Sequence, residues 1–317
     1  MISHSIADVS SQQSRLKINR VLIVGGTHGN ELTGIYTIQK FKHHPELIHR
    51  HSFDTLTVIG NPDAAKHVTR YRNKDLNRCF NAQAWESAST SIYEVTRAKT
   101  LLEQYGPDSN QPTDLVIDLH STTSNAGLML ILDHLDPFTL RLAAYLQRKE
   151  PMVKIYSAAG SGREHDSLRT VGKYRLGIEV GPIAHGTLHA ELFHKTETLI
   201  YHVLDYVERN NHLTQSKTAP DPGLPTPNDL TIYHYLGAID YPKNDQGEIT
   251  AMIHPHRQFQ DYQAVNPGDP MFLTFQGNTI NYAGKTTVYP IFINEAAYYE
   301  KGIAMSLTTM HQSRLNP

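Results

Sequence analysis

Short apolar runs alternate with longer amphipathic stretches over the first two-thirds of the chain. The apolar runs are rich in β-branched residues and lie at residues 20–26, 56–60, 114–119, 128–132 and 177–180. Between them, apolar residues recur at helical spacing at residues 32–41, 92–104, 138–148 and 196–208. Continuous apolar runs are typical of strands that are buried on both faces. The alternation predicts an α/β fold with a mixed, largely parallel sheet flanked by helices.

A proline-rich segment ends this pattern. Residues 219–227 contain four prolines, which cannot continue a helix and which favour a linker. Beyond it, short runs of β character are separated by turn residues, at residues 230–236, 248–253, 271–275 and 286–292. We therefore predict two domains, an α/β domain at residues 1–215 and a second, smaller β-rich C-terminal domain at residues 216–317.

Composition narrows the classes of function. The 317 residues contain 29 Lys and Arg against 31 Asp and Glu, and this near-neutral balance argues against a protein that coats nucleic acid or a membrane surface. No apolar run approaches the ~18 residues of a membrane span, and the N-terminus has no signal-peptide core, so we expect a cytoplasmic protein. With Cys79 as the single cysteine and 19 histidines, a transition metal would need histidine and carboxylate ligands.

The first candidate site follows the first predicted strand, in the sequence GGTHGNE. His28 and Glu31 are three residues apart and can point the same way as the strand turns into a helix. A neutral imidazole and a carboxylate are good zinc ligands. Two other interpretations stay open at this point. The glycines can form an ordinary turn beside solvated side chains, or a phosphate-binding loop, although their spacing does not match the nucleotide-binding motifs.

Two further side chains come at the ends of predicted strands. His120 follows the run at residues 114–119, and Glu179 lies within the run at residues 177–180. Ligands of open α/β sheets gather at the carboxyl ends of the strands, where His28 is also expected. Two near ligands, one distant histidine and an open fourth position are typical of catalytic zinc. Glu179 is the candidate general base, the alternative being a structural salt bridge.

A polar segment at residues 69–80 supplies further candidates. Such a run is usually a solvated face, but Asn77 and Arg78 beside a metal can hold a carboxylate by a fork-shaped contact. Arg70 and the more distant Arg169 add positive charge. Several arginines around one metal ion indicate a substrate with more than one negative charge.

Six motifs in order resemble the aspartoacylase/succinylglutamate desuccinylase family of zinc hydrolases, which are built on the carboxypeptidase fold. The motifs are GGTHGNELTGI, TRYRNKDLNRCF, DLHSTTSNAG, GIEVGP, NPGDPM and INEAAYYEK. They extend from about residue 20 to about residue 305, so the resemblance covers both predicted domains. It implies a zinc-carboxypeptidase-like catalytic domain and one zinc ion as cofactor.

The resemblance also implies a role for each matching residue. The zinc ligands would be His28, Glu31 and His120. Glu179 would activate water, and Arg70 would polarise the scissile carbonyl. The substrate contacts would be Asn77 and Arg78 at the α-carboxylate, Arg169 at the aspartyl side-chain carboxylate, and Tyr298 from the second domain.

The implied reaction is hydrolysis of a small-molecule N-acyl amino acid, with N-acetyl-L-aspartate giving acetate and L-aspartate. The INEAAYYEK motif favours the aspartoacylase branch and the related aminoacylases of N-acyl aromatic amino acids, which are the nearest alternative. His165 stands where the aspartoacylases have a tyrosine. A non-catalytic module that binds an anion or nucleotide in the GGTHG turn is the alternative of another class. Because relatives self-associate, we expect a homo-oligomer.

Overall fold

The computed structural model describes residues 17–87, 92–162, 165–216 and 230–313. The N-terminal segment and the proline-rich segment at residues 219–227, on which two of the expectations rest, lie outside the described residues. The described helices include none that is both long enough and apolar enough to cross a membrane.

The five predicted strands of the first two-thirds form one large sheet with a strand at residues 153–157 that was not predicted and two strands from the C-terminal part of the chain. Its strands are β1 (Arg20–Gly25), β2 (Asp54–Ile59), β3 (Thr113–Ser121), β4 (Gly127–Leu132), β5 (Val153–Ser157), β6 (Gly172–Gly181), β7 (Leu230–Asp240) and β11 (Ile303–Ser313). Their order is β11-β7-β5-β4-β6-β3-β1-β2. Only the β4–β6 and β7–β11 pairs in this sheet are antiparallel. The predicted α/β class with a mixed, largely parallel sheet is confirmed.

Helices cover the sheet. They are α1 (Leu32–His43), α2 (Pro62–His67), α3 (Ala82–Ser87), α4 (Tyr93–Tyr105), α5 (Pro137–Lys149) and α6 (Ala190–Ser216). Side-chain caps fix two helix starts: Asp136 accepts the amides of Phe138 and Thr139, and Asn61 accepts that of Ala64. The four predicted helices match α1, α4, α5 and α6, although α6 begins earlier and ends later than its apolar period indicated.

Successive residues of β1 point to opposite faces of the sheet and explain its two core layers. Val21 and Ile23 pack in one cluster with the helices α1, α5 and α6, and Leu22 and Val24 pack in another with α4. All four side chains are fully buried. A strand that is buried on both faces requires this continuous apolar run, which is the pattern seen in the sequence.

The C-terminal part differs from its predicted pattern: the strands at residues 279–281 and 303–313 were not predicted, and one predicted run is not a strand. Strands β8 (Ala251–Ile253), β9 (Pro270–Thr274) and β10 (Thr279–Asn281) form a small antiparallel sheet. The run at residues 286–292, predicted as β, is not a strand and makes only isolated bridges through Val288 and Ile291. Pro290 has no amide hydrogen to donate, and Phe292 has a left-handed backbone, so a regular ladder cannot continue there.

The direction of the strands determines where the candidate residues meet. Strands β1, β3 and β6 are mutually parallel neighbours, so their carboxyl ends lie at the same edge of the sheet. His28 follows β1, His120 lies near the end of β3, and Glu179 lies near the end of β6. Within the β3–β6 pairing, His120 is directly opposite Glu179.

Candidate active site

The turn after β1 brings His28 and Glu31 into the site. Gly29 lies between them and approaches helix α2 so closely that an added Cβ would be 2.1 Å from the Ala64 carbonyl carbon. Its amide donates to the Arg70 carbonyl at 3.2 Å. The turn therefore needs glycine at this position, and the contact fixes the backbone beside His28.

Two histidines converge on one carboxylate. Nδ1 of His28 is 2.7 Å from Oε1 of Glu31, and Nδ1 of His120 is 2.9 Å from Oε2. One potential ligand atom from each residue lies within 4.8 Å of the others, and all three residues are buried. Burial alone would raise the pKa of Glu31, but His28 and His120 lower it well below its usual value. The carboxylate is therefore held ionised, as a metal ligand must be.

The other ring nitrogen of each histidine faces a second carboxylate. Nε2 of His28 is 3.1 Å from Asp75, and Nε2 of His120 is 2.8 Å from Asp118. Asp118 is itself fully buried and accepts a hydrogen bond from the Thr27 hydroxyl at 2.7 Å. Metal-binding histidines are usually oriented by such a carboxylate on the nitrogen away from the metal. His28, Glu31 and His120 could therefore hold a metal ion between them.

Glu179 lies beside this cluster without a partner. Its side chain forms no hydrogen bond or ion pair with the described residues, and it lines the cavities on both sides of His28. Burial is the largest influence on Glu179 and raises the pKa of its carboxyl well above the usual range, which His120 and Arg70 oppose. A carboxyl with a raised pKa is suited to accept and return a proton near neutral pH.

Three predicted contacts come from the segment between α2 and α3. Arg70 is 3.1 Å from Glu31 and 3.6 Å from Asp75, so its guanidinium lies next to the histidine cluster. The Asn77 side-chain oxygen accepts the Leu168 amide at 2.8 Å. Arg78 donates to the Asn77 carbonyl and forms no ion pair with any described residue. Its charge is therefore available to a carboxylate in the cavity.

Arg169 lies in the same cavity, but its charge is already matched. Its Nε and Nη2 donate to the two oxygens of Asp133 at 2.9 and 2.7 Å, and Nη1 is 3.6 Å from Asp118. Arg169 and Asp133 are both buried. Of the five N–H groups of this guanidinium, two are used by Asp133, and the others face Asp118 and the cavity.

Two cavities flank the histidine cluster. The larger, of about 150 Å³, contains Arg78, Arg169 and Glu179 together with aromatic side chains. The smaller, of about 40 Å³, lies between Glu31 and the segment after residue 291. Tyr298 and Phe292 line both, so the C-terminal part completes the walls. The exposed His165 does not line the larger cavity and has its ring 6.3 Å from that of His134.

Comparison with known proteins identifies the family. Residues 17–207 match the Succinylglutamate desuccinylase/Aspartoacylase catalytic domain, and residues 228–310 match the AstE/AspA barrel-sandwich hybrid domain. The chain belongs to the succinylglutamate desuccinylase/aspartoacylase family. The predicted resemblance is confirmed.

Relatives of the chain within this family have two kinds of name. A "Probable aspartoacylase" of Nostoc sp. is 50% identical over 95% of this chain and 99% of its own length. The Homo sapiens "N-acyl-aromatic-L-amino acid amidohydrolase (carboxylate-forming)" is 38% identical over 93% of this chain and 91% of its own. The crystal structure of murine aminoacylase 3 has a TM-score of 0.88 at 35% identity, covering 96% of this chain and 99% of that one.

Glu295 ties the two parts of this family member together beside the site. Its buried carboxylate accepts hydrogen bonds from Thr122, from the amide and hydroxyl of Thr123, and from the Ser124 amide. These residues directly follow the strand that bears His120. Glu295 also begins the 3-10 helix Ala296–Lys301, which contains Tyr298. It lies in the INEAAYYEK motif, but no residue spacing or strand-end position distinguished it from its neighbours.

We predict that Glu295→Gln destabilises the protein at neutral pH. Burial would raise the pKa of Glu295, but hydrogen bonds from His185, Thr122 and the Ala297 amide lower it to about 2. A lowered pKa gives stability that is present above the unfolded value near 4.5 and lost as the pH falls toward 2. The loss should be about 3 kcal/mol, measured by urea unfolding at pH 7.

The exposed Glu248→Gln is the matched control and should change the unfolding free energy by less than about 0.5 kcal/mol. Equal unfolding free energies of Glu295→Gln and wild type at pH 7 would contradict this account.

Proposed function

We propose that this chain is a zinc-dependent amidohydrolase that converts N-acetyl-L-aspartate to acetate and L-aspartate. The main support is the combination of two carboxylate-oriented histidines around Glu31 with the adjacent Glu179, whose carboxylate has no hydrogen-bond or ion-pair partner among the described residues. The family relationship supports the acylase class, because its named relatives include aspartoacylases and an N-acyl-aromatic amino acid amidohydrolase.

His28, Glu31 and His120 would hold the metal. A zinc ion bound there would acidify a water molecule and polarise the substrate carbonyl. Asp75 and Asp118 keep the two Nε2 atoms engaged, so that both rings present Nδ1 to the same point. The two carboxylates thus orient both rings.

Glu179 moves the proton. It takes one proton from the attacking water as the new C–O bond forms and negative charge develops on the acyl oxygen. It then returns that proton to the nitrogen of the leaving amino acid as the C–N bond breaks and the carbonyl re-forms. Arg70 donates to the acyl oxygen as negative charge develops there, a contribution of a few kcal/mol for one such donor. Arg70 is oriented for this by its contacts with Glu31 and Asp75.

The larger cavity takes the amino-acid half of the substrate. Arg78, which has no ion pair with the described residues, and Asn77 would hold the α-carboxylate. Arg169 and Tyr298 would contact the side-chain carboxylate of an aspartyl substrate. Arg169 retains donors for this contact beyond the two that Asp133 uses.

Hydrolysis of N-acyl aromatic amino acids is the second candidate, and a specific observation favours it. The pairing of Arg169 with Asp133 neutralises the guanidinium that would attract an acidic side chain. Tyr156, Tyr235 and Phe292 line the same cavity and can contact an aromatic ring. The non-catalytic anion module has less support, because the Gly29 amide is already bonded to the Arg70 carbonyl. A homo-oligomer in the cytoplasm stays a prediction.

We expect His28→Ala and His120→Ala to lose zinc, because each removes one of three ligands. The measurement is zinc content per chain after dialysis against a metal buffer. His165→Ala, a change at an exposed histidine outside the larger cavity, is the matched control and should keep one zinc. Full occupancy in either ligand variant would refute the ligand assignment.

Glu179→Gln should keep zinc near the wild-type level and lower kcat by about 100-fold or more, because the amide cannot accept the proton. Glu46→Gln, at an exposed glutamate, is the matched control. A Glu179→Gln enzyme with unimpaired kcat would remove Glu179 from the mechanism.

Parallel kinetics on N-acetylaspartate and N-acetyltyrosine test the substrate. We expect a higher kcat/KM for N-acetylaspartate and loss of both activities with a chelator. A preference for N-acetyltyrosine would favour the second candidate. Binding of either compound without hydrolysis by a zinc-free protein would favour the non-catalytic module.

A further inference from the structure

Asp261 is a buried carboxylate without a cation partner. Its side chain is only 5% exposed, and no lysine, arginine or histidine of the described residues forms an ion pair with it. Its Oδ1 accepts the Ile293 amide at 3.3 Å, while Oδ2 has no hydrogen-bond partner there. Because burying an unpaired charge opposes folding, such a group calls for an explanation.

Strained backbone surrounds this carboxylate. Phe259 and Tyr262, at φ 61° and 65°, lie on either side of Asp261 in the sequence. Phe292 and Asn294, at φ 54° and 59°, lie on either side of its hydrogen-bond donor Ile293. Non-glycine residues seldom adopt positive φ, and such residues cluster at functional sites where the surroundings hold them.

The surroundings do hold them, through three segments that meet at Asp261. The Tyr262 amide donates to the Pro290 carbonyl at 2.8 Å, and its hydroxyl donates to the Ala126 carbonyl at 2.9 Å. The Asn125 side-chain amide donates to the Phe259 carbonyl at 2.8 Å. Residues 125 and 126 belong to the loop that follows the strand of His120, so the junction reaches the catalytic edge of the sheet.

Phe292 connects the junction to the catalytic pocket. Its ring lines both cavities beside the histidine cluster. The ring centroid is 5.9 Å from that of Tyr298 and 6.2 Å from that of Tyr156. Because the left-handed backbone at Phe292 sets the direction of this ring, whatever holds that backbone also sets the shape of the pocket.

We propose that Asp261 is a positioning residue for the hydrolytic reaction: its carboxylate holds the strained segment at residues 292–294 and thereby keeps Phe292 in the pocket wall. The proposal rests on the proposed function. Asp261 lines neither cavity and forms no hydrogen bond or ion pair with His28, Glu31 or His120, so it acts through the backbone of Phe292. It would influence how the substrate is bound rather than the proton transfer.

The charge of Asp261 has a distinctive pH dependence. Burial raises its pKa from 3.8 to about 6, while the amides of Ile293, Asn125 and Phe292 oppose the shift. Burial and the nearby charge of Asp261 raise the pKa of the Tyr262 phenol well above its usual value. A raised pKa means that the folded state binds the proton more tightly. The buried charge therefore reduces stability progressively as the pH rises from about 4 to about 6, and fully above that.

The test compares Asp261→Asn with Asp245→Asn, which removes the same charge from an exposed turn of the same part of the chain. We expect Asp261→Asn to raise KM for the better substrate about tenfold, with kcat within about twofold and zinc content unchanged. Hydrogen exchange should accelerate at residues 290–295. Asp245→Asn should change none of these.

A double-mutant cycle with Phe292→Leu tests whether Asp261 acts through Phe292. If Asp261 acts through Phe292, the two effects on KM are not additive. The melting temperature of Asp261→Asn minus that of wild type should be about 2 °C higher at pH 8 than at pH 5, because only the wild type carries the buried charge at pH 8.

Three results would overturn the proposal. The first is an Asp261→Asn variant with unchanged KM and unchanged exchange, and the second is additive effects in the double-mutant cycle. The third is an Asp261→Asn variant that loses zinc and has a melting temperature lowered by the same amount at pH 5 and pH 8, which would indicate a merely structural role. If Asp261→Asn does not fold, exchange at residues 290–295 in the wild type decides: local opening relieves the buried charge, so protection factors should be lower at pH 8 than at pH 5, and equal protection factors would overturn the proposal. A wild-type protein that hydrolyses no N-acyl amino acid would refute the proposed function, whereas the exchange results do not depend on activity.

Discussion

The carboxylate of Glu31, shared between two buried histidines, is the interaction on which the rest of the site depends. Burying this charge is favourable only because His28 and His120 lie within 3 Å of its oxygens. The other nitrogen of each ring contacts Asp75 or Asp118, so each imidazole lies between Glu31 and a second carboxylate. Glu179 lies beside this cluster, where burial raises the pKa of its carboxyl well above the usual range and the nearby His120 and Arg70 oppose the shift.

The topology of the sheet brings these groups together from distant parts of the sequence. Strands β1, β3 and β6 are adjacent and parallel, so the residues at their carboxyl ends meet although they are about 150 positions apart. The C-terminal part then closes the site from the other side. Strands β7 and β11 extend the same sheet, and Glu295 joins the segment of Tyr298 to the loop after His120.

Two kinds of feature could be predicted from the sequence: strands with a continuous apolar pattern, and site residues at the ends of those strands. Apolar runs that are buried on both faces gave strands such as β1 and β3, and the rule that sites gather at strand ends selected His28, His120 and Glu179. Pattern could not reveal that the strand at residues 230–236 would join the main sheet. Asp133 was missed for a related reason: its role is to pair with Arg169, a contact set by packing between elements that no residue spacing encodes.

Asp133 and Asp261 illustrate two opposite uses of a buried carboxylate near one pocket. Asp133 is matched by a bidentate contact, so its charge contributes to order and reduces the field of Arg169 on a substrate. Asp261 has no cation partner among the described residues, so its charge opposes folding, and the strained residues Phe292 and Asn294 beside its donor add to that cost. Free energy spent on both features at one junction is hard to explain by stability alone. It is explained if the pocket wall must hold one shape, which connects this strained junction with the chemistry at the end of β3.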